Sequence, residues 1–268
     1  MNPVTPSIVD AFWRDGVVCL RGVLPVSLVE AMAAPVAAAR HADLSALAGR
    51  REGARFIGGI DHWREQEELR VFACDSPLPA LVATLLRADT VYLYEDSVLV
   101  KQPGASEATV WHQDLGYFHV EGEQLCTTWC PLDVATAETG TLRFVRGSHR
   151  WDVRYRPNLF VTTETLPGTE GHDIPDIDGG EYDIVSFDLE PGDVTVHHAR
   201  TLHAAGPNRS AIRARRAISV RYCGDDVRMR FRPGAPLKAS QAGLRDGDPL
   251  GGSAHPLVYR SAKPHARE

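Results

Sequence analysis

The sequence predicts a mostly β fold, a jelly roll or similar double sheet, buttressed by α-helices at its N-terminal end. Three observations carry this. Helix caps and helix breakers are confined to about the first ninety of 268 residues. From Val91 onward, short runs rich in β-branched and aromatic residues alternate with Gly and Pro turns. No repeat, linker or low-complexity tract divides the chain, so it reads as a single domain over 1–268, with helical support in 1–90, a β core in 91–225 and a C-terminal extension in 226–268.

In chain order, Thr5 and Pro6 open a helix of about ten residues that Gly16 closes: Thr caps, Pro fits the first turn and Gly tolerates the left-handed exit. Ser27 and Glu30 make a capping-box pattern before a second, alanine-rich helix that Pro35 should kink or break. Ser76 and Pro77 start a third, running to about Ala88. Strands are expected at 91–94, 97–102, 109–115, 127–134, 142–145, 193–197 and 216–223. Two segments resist assignment, 50–68 and 152–182. The second is long enough that, inside a compact domain, it reads as a lid over a site.

His112 and Asp114 stand two apart in the run Val110-Trp111-His112-Gln113-Asp114-Leu115. On an extended strand, residues i and i+2 share a face, so an imidazole nitrogen and a carboxylate oxygen can converge on one metal ion, while Trp111 points the other way. A non-haem Fe(II) oxygenase needs two His and one carboxylate on one triangular face of the metal, with the opposite positions open. The third ligand is then a distant histidine on a neighbouring strand, and the segment 191–210 offers His197, His198 and His203. Arg215 follows, just ahead of the strand pattern Ala217-Ile218-Ser219-Val220. A guanidinium there is a fixed, two-pronged anchor for the far carboxylate of a dicarboxylate cosubstrate.

Phe12-Trp13-Arg14-Asp15-Gly16-Val17, Trp111-His112-Gln113-Asp114, Gly140-Thr141-Leu142-Arg143-Phe144-Val145 with Gly147-Ser148-His149-Arg150, and Gly192-Asp193 followed by His198 and His203 occur in that order. In this the chain resembles the phytanoyl-CoA dioxygenase family over most of its length. The resemblance implies the double-stranded β-helix, a cupin-like jelly roll. It makes His112, Asp114 and His203 the iron ligands, Arg215 the partner of the 2-oxoglutarate 5-carboxylate and Trp129 a neighbour of that cosubstrate. The implied reaction uses Fe(II), 2-oxoglutarate and O2 to oxidise an unactivated C–H bond of a small molecule, by hydroxylation as the default, with release of succinate and CO2. Asp114 disfavours halogenation, since related halogenases carry Gly or Ala at that place. Desaturation, epoxidation and ring closure stay open. Two departures stand out. Arg215 lies one position further from the histidine than is usual, which implies a bulge or longer turn at 210–213 and keeps Arg213 and Arg216 as alternatives. Ala205 replaces a Ser that holds the cosubstrate in several members.

For the substrate, Tyr117 and Phe118, just past the metal strand, are the expected pocket residues, ahead of Trp63 and Tyr92. Arg50, Arg51, Arg55 and Arg64 could meet a carboxylated substrate or form a solvated cluster. The acidic run from Glu164 to Asp183 argues against a polyanionic thioester. His149 and Arg150 read as a structural turn rather than as site residues.

A net charge of −6 and the lack of a basic tract leave no electrostatic case for nucleic acid. No run approaches the roughly eighteen consecutive apolar residues of a membrane span, and the N-terminus shows no signal-peptide core. Five scattered cysteines point to reduced thiols in a cytoplasm, with Cys126 and Cys130 a core pair on one strand face. Two rival classes remain. A cupin-type hydrolase or isomerase would use the same three side chains with Zn or Mn, and need neither Arg215 nor O2. A silent small-molecule binding module would have no reason to retain a near-core Asp beside two His without a metal.

Overall fold

The computed structural model describes residues 3–262. Its helices are α1 Pro6–Asp15, α2 Val26–Ala31, α3 Ala33–Ala38, α4 Leu44–Leu47, α5 Glu67–Asp75 and α6 Leu78–Leu86. Its strands are β1 Val17–Leu20, β2 Ala42–Asp43, β3 Phe56–Ile60, β4 Thr90–Lys101, β5 Thr109–His112, β6 Val120–Glu121, β7 Leu125–Pro131, β8 Leu142–Val145, β9 Ile184–Ser186, β10 Val194–His198, β11 His203–Ala205, β12 Arg215–Cys223, β13 Arg228–Met229 and β14 Leu257–Arg260. A major sheet in the order β1-β10-β7-β12-β4-β3-β2, with β14 also on β4, faces a minor sheet ordered β5-β11-β8-β9, and every pairing in them is antiparallel. This is the expected jelly roll.

Strand alternation sorts the major sheet into two faces. Val98, Val196, Ile218, Val220 and Tyr222 face outward onto Phe12 of α1, Leu69 and Phe72 of α5 and Leu78 and Leu85 of α6, in one continuous apolar core. The intervening residues, including Leu99, Trp129, His197, Arg215, Ser219 and Arg221, face inward between the sheets. The helices therefore take up the apolar face and leave the polar face to line the interior. The stretch Glu67–Leu86 has the length and hydropathy of a membrane span, yet it is broken into α5 and α6 and more than half of it is buried against this core.

α1 begins and ends where the sequence places it. Gly16 takes φ 78° and returns its N–H to Phe12, and a Cβ there would lie 2.4 Å from His149 Nδ1, so only glycine fits. Thr5, however, accepts no capping bond from the backbone N–H groups of the first turn. The Ser27–Glu30 box does not form: α2 starts two residues earlier, with Pro25 in the cap position. The helix breaks at Met32, because the Pro35 ring would crowd the carbonyl of Ala31 in a continuous helix. α6 stops at Leu86, two residues short of expectation, because Arg87 turns left-handed at φ 53°.

The two runs expected at 91–94 and 97–102 are one twelve-residue strand, β4. The polar Glu95-Asp96-Ser97 reads as a break, but all three side chains are buried. β3, inside the unassigned segment 50–68, pairs with β4 through Phe56–Ile60. Gly58 and Gly59 depress its strand signal. The segment 152–182 has no helix or strand, only isolated bridges such as Tyr155 with His172 and Asn158 with Thr165.

Candidate metal centre and cosubstrate pocket

His112 ends β5, and Gln113 stays extended at φ −107° and ψ 136°, so the alternation carries through to Asp114 even though Asp114 itself opens a 3-10 turn. β11 lies beside β5 with His203 directly opposite His112, and the two imidazole centroids are 4.1 Å apart. His112 Nε2 and His203 Nε2 each sit 3.8 Å from Asp114 Oδ1. The three ligand atoms all lie within 4.8 Å of one another, and all three residues are buried. The structure thus brings His112, Asp114 and His203 together.

The second ring nitrogens fix the donor set. His112 Nδ1 donates to Val110 O at 2.8 Å and His203 Nδ1 to Thr201 O at 2.9 Å, which leaves both Nε2 lone pairs aimed at the shared centre. Burial pushes His112 down to about 3 and His203 to about 4, so both imidazoles are neutral at neutral pH, as metal ligation requires. Burial alone would raise the Asp114 carboxyl; His203, His197 and Arg221 outweigh it and hold the group well below the usual carboxylate range. A buried carboxylate facing two neutral imidazole lone pairs fits a divalent metal better than any other occupant.

His197 and His198 are neighbours on β10 and face opposite ways. His198 bonds to Glu123 O at 2.8 Å and to Arg200 N at 3.1 Å, packed against Phe12 and Trp13 and away from the centre. His197 points inward with its Nε2 3.4 Å from Asp114 Oδ2, and its Nδ1 has no partner. Thr127 Oγ1 donates to the same Oδ2. Asp114 is therefore oriented through one oxygen with the other free for the metal.

Beyond the trio, Arg215 is 1% exposed, its Nε has no partner, and its guanidinium stands 5.5 Å over the Trp129 ring. The two alternatives lie elsewhere: Arg213 is at the surface on Glu138 at 2.8 Å, and Arg216 points outward to a paired contact with Asp133 at 2.6 and 2.9 Å. The extra residue before Arg215 is taken up by the turn after β11, where Asn208 Nδ2 donates to Lys101 O, Gln102 O and Arg213 O. No bulge in β12 is needed there.

Three inward residues escaped the sequence reading. Lys101 lies opposite Arg215 on β4, fully buried, with Nζ 2.6 Å from Gly206 O; burial, and then the charge of Arg215, press its ammonium well below the usual lysine range. Thr109, the cross-strand partner of Ala205, faces the same narrow hollow as Trp129 and Arg215. Phe160, from the 152–182 segment, sets its ring 5.2 Å from that of His112. Polarity at strand ends concealed the first two, and an irregular loop gives no period from which to place the third.

A second hollow, about 290 Å³, opens on the metal side and shares Leu99, His112, Asp114, Phe160 and Arg221 with the first. Tyr117 and Phe118 both line it, and the Tyr117 hydroxyl hydrogen-bonds Asn158, tying the 152–182 segment to the site. Neither Trp63 nor Tyr92 lines this hollow: Trp63 packs in the helical core, and Tyr92 packs against the cluster that holds Phe118. Arg50, Arg55 and Arg64 are engaged by Glu107, Asp43 and the carbonyls of Ser253 and Ala254, so they form no substrate cluster. Asp173, Asp178 and Asp183 are matched by Arg156, Arg143 and Arg146, which neutralises much of the acidic run. His149 bonds Trp13 O as a structural group.

A jelly roll with two histidines and one carboxylate converging between its sheets, next to a buried and unpartnered arginine, defines the class of metal-dependent keto-acid oxygenase folds. The chain belongs to the phytanoyl-CoA dioxygenase (PhyH) family, whose profile matches residues 12–217. It is 27% identical over 149 residues to a probable alpha-ketoglutarate-dependent hypophosphite dioxygenase of Stutzerimonas stutzeri, covering 54% of this chain and 51% of that one. The match thus spans about half the length of that curated relative. Among solved structures it is similar to the non-heme alpha ketoglutarate dependent carbocyclase SnoK of nogalamycin biosynthesis, with TM-score 0.74, 25% identity, and 96% of this chain and 97% of that one covered. It is equally similar to the epimerase SnoN in complex with Fe3+, alpha ketoglutarate and nogalamycin RO, with TM-score 0.72, 26% identity and coverage of 94% and 98%.

Proposed function

We propose that this chain is an Fe(II)- and 2-oxoglutarate-dependent oxygenase that oxidises an unactivated C–H bond of a small organic molecule, with hydroxylation as the default outcome. The observation that carries the reading is the pairing of the His112, Asp114 and His203 cluster with the buried, acid-free guanidinium of Arg215 in one interior. A cupin-type hydrolase has no use for that arginine, and a silent binding module has no use for the cluster.

His112, Asp114 and His203 would hold the iron, and Arg215 would take the far carboxylate of 2-oxoglutarate, with Trp129 packed beside it. Lys101 adds a second donor next to Arg215, and the Thr109 hydroxyl stands where Ala205 supplies none. Bound together, iron and 2-oxoglutarate supply the O2 activation that couples decarboxylation, giving succinate and CO2, to substrate oxidation. The chain's own work is placement: Thr127 and His197 orient Asp114, Leu99 and Phe160 wall the centre from water, and Tyr117 and Phe118 border the space for the substrate. Five free cysteines, three of them buried, support a reducing, cytoplasmic location.

The test is anaerobic addition of Fe(II) and 2-oxoglutarate. A visible charge-transfer band that needs both, and O2-dependent succinate release on opening to air, are expected. Turnover of a substrate without O2 or 2-oxoglutarate would establish the hydrolase reading instead. Because the neighbours SnoK and SnoN are named a carbocyclase and an epimerase, product analysis should score loss of two hydrogens and inversion at carbon as well as gain of oxygen.

A further inference from the structure

Arg221 is the second arginine that β12 turns into the interior, and it borders both hollows together with His112 and Asp114. Its side chain is 10% exposed. A guanidinium offers five N–H donors in a fixed fork. Here its one hydrogen bond runs to the Ser97 hydroxyl, and its Nε has no partner. Glu95 Oε1 lies 3.6 Å away, in ion-pairing but not hydrogen-bonding range, while Glu95 Oε2 is held by Lys238 at 2.5 Å and Lys238 is shared with Asp61 at 3.1 Å. A buried donor left unmade is costly, and most costly on a charged group.

The body of this 290 Å³ space is walled by Ala42, Leu44, Ile60, Leu99, Phe118 and Phe160, and the ion-paired Glu95 and Lys238 also line it. At the packing density of protein interiors it suits a compact body of about fifteen non-hydrogen atoms. It is therefore a mostly hydrocarbon space with an underused, permanently charged fork at the end that meets the metal.

We propose that Arg221 is the substrate-recognising residue and that the substrate is a compact, largely hydrocarbon carboxylate, whose carboxylate docks on the Arg221 fork while its apolar body fills the space between β3, β4 and Phe118. The proposal rests on the oxygenase reading above and names the substrate class of that site. Bidentate pairing of a carboxylate with a buried guanidinium is among the stronger charge-assisted contacts, and it is selective: an amide cannot supply two acceptors to the fork, and an ammonium supplies none. The docked end also places the neighbouring C–H bonds, rather than the far end of the molecule, beside His112 and Asp114.

The probes are adamantane-1-carboxylate, adamantane-1-carboxamide and 1-adamantylammonium, which share one apolar body. Their binding is measured by calorimetry on the metal-free protein and on protein loaded anaerobically with Fe(II) and 2-oxoglutarate. The carboxylate should bind about tenfold or more tightly than the amide, and the ammonium more weakly still. Arg221→Gln should bring carboxylate and amide to within about twofold, while the Fe(II) and 2-oxoglutarate band persists, and Arg221→Lys should retain a carboxylate preference. Equal binding of the three probes, binding of none, or a preference that survives Arg221→Gln overturns the proposal. So does an Arg221→Gln protein that loses 2-oxoglutarate rather than the probe, since the guanidinium would then serve the cosubstrate. Failure of the band in the parent protein sinks the oxygenase reading instead, and the calorimetry still decides the carboxylate question.

Discussion

β12 carries two interior arginines, Arg215 and Arg221, roughly 20 Å apart along the strand and on either side of the His112, Asp114 and His203 cluster. Arg215 is wholly buried, stacked on Trp129, and has no acid in hydrogen-bonding range; its neighbour Lys101 adds a buried amine whose charged form burial and Arg215 disfavour. Arg221 is held against Ser97 and sits within a network in which Lys238, Glu95 and Asp61 balance one another. An uncompensated cationic end suits a dianion of invariant shape. A half-compensated end suits a monoanion. Both ends are legible as charge states of one strand, and the metal site lies between them.

The comparison breaks most severely if the centre between the arginines is lost. Asp114→Ala or His203→Ala should lower iron affinity by more than the roughly 10- to 100-fold expected of a residue that only supports a ligand, measured by anaerobic iron titration. Next in size, Arg215→Ala should raise the 2-oxoglutarate requirement about tenfold to a few hundredfold, equivalent to about 1.5 to 3 kcal/mol, whereas Arg213→Ala and Arg216→Ala should change it by less than about threefold. A large effect of either surface arginine would erase the distinction drawn between the two ends. His197→Phe should cost about tenfold in iron affinity with little change in the 2-oxoglutarate requirement, because it loosens Asp114 and not the anion end. Smallest at the site is His198→Ala: iron binding should be unchanged, while global stability falls by about 1 to 3 kcal/mol from the lost bonds to Glu123 and Arg200, read as a lower melting temperature.

The convergence of His112 and Asp114 was readable because an extended strand has an exact period of two, and Gln113 keeps that period through the end of β5. His203 was readable only through the family resemblance, since spacing alone left three histidines open. β10 explains why: successive residues His197 and His198 face opposite sides, and nothing local to the sequence says which side is the interior. Lys101, Thr109 and Arg221 were passed over for the same reason, as charged or polar residues in strands ordinarily face water. The interior of this sheet is polar, and the apolar face that would have announced a core is instead covered by α1, α5 and α6. Gly58 and Gly59 hid β3, and the irregular backbone of 152–182 hid Phe160, which takes φ 68°.

The most direct measurement is an anaerobic crystal structure of the protein soaked with Mn(II), as an oxygen-stable stand-in for Fe(II), and 2-oxoglutarate. The account predicts the metal bonded to His112 Nε2, Asp114 Oδ1 and His203 Nε2, with the far carboxylate of 2-oxoglutarate on Arg215. A metal bound through His197 or His198 in place of His203, or a 2-oxoglutarate carboxylate seated on Arg213, Arg216 or Arg221, would contradict it.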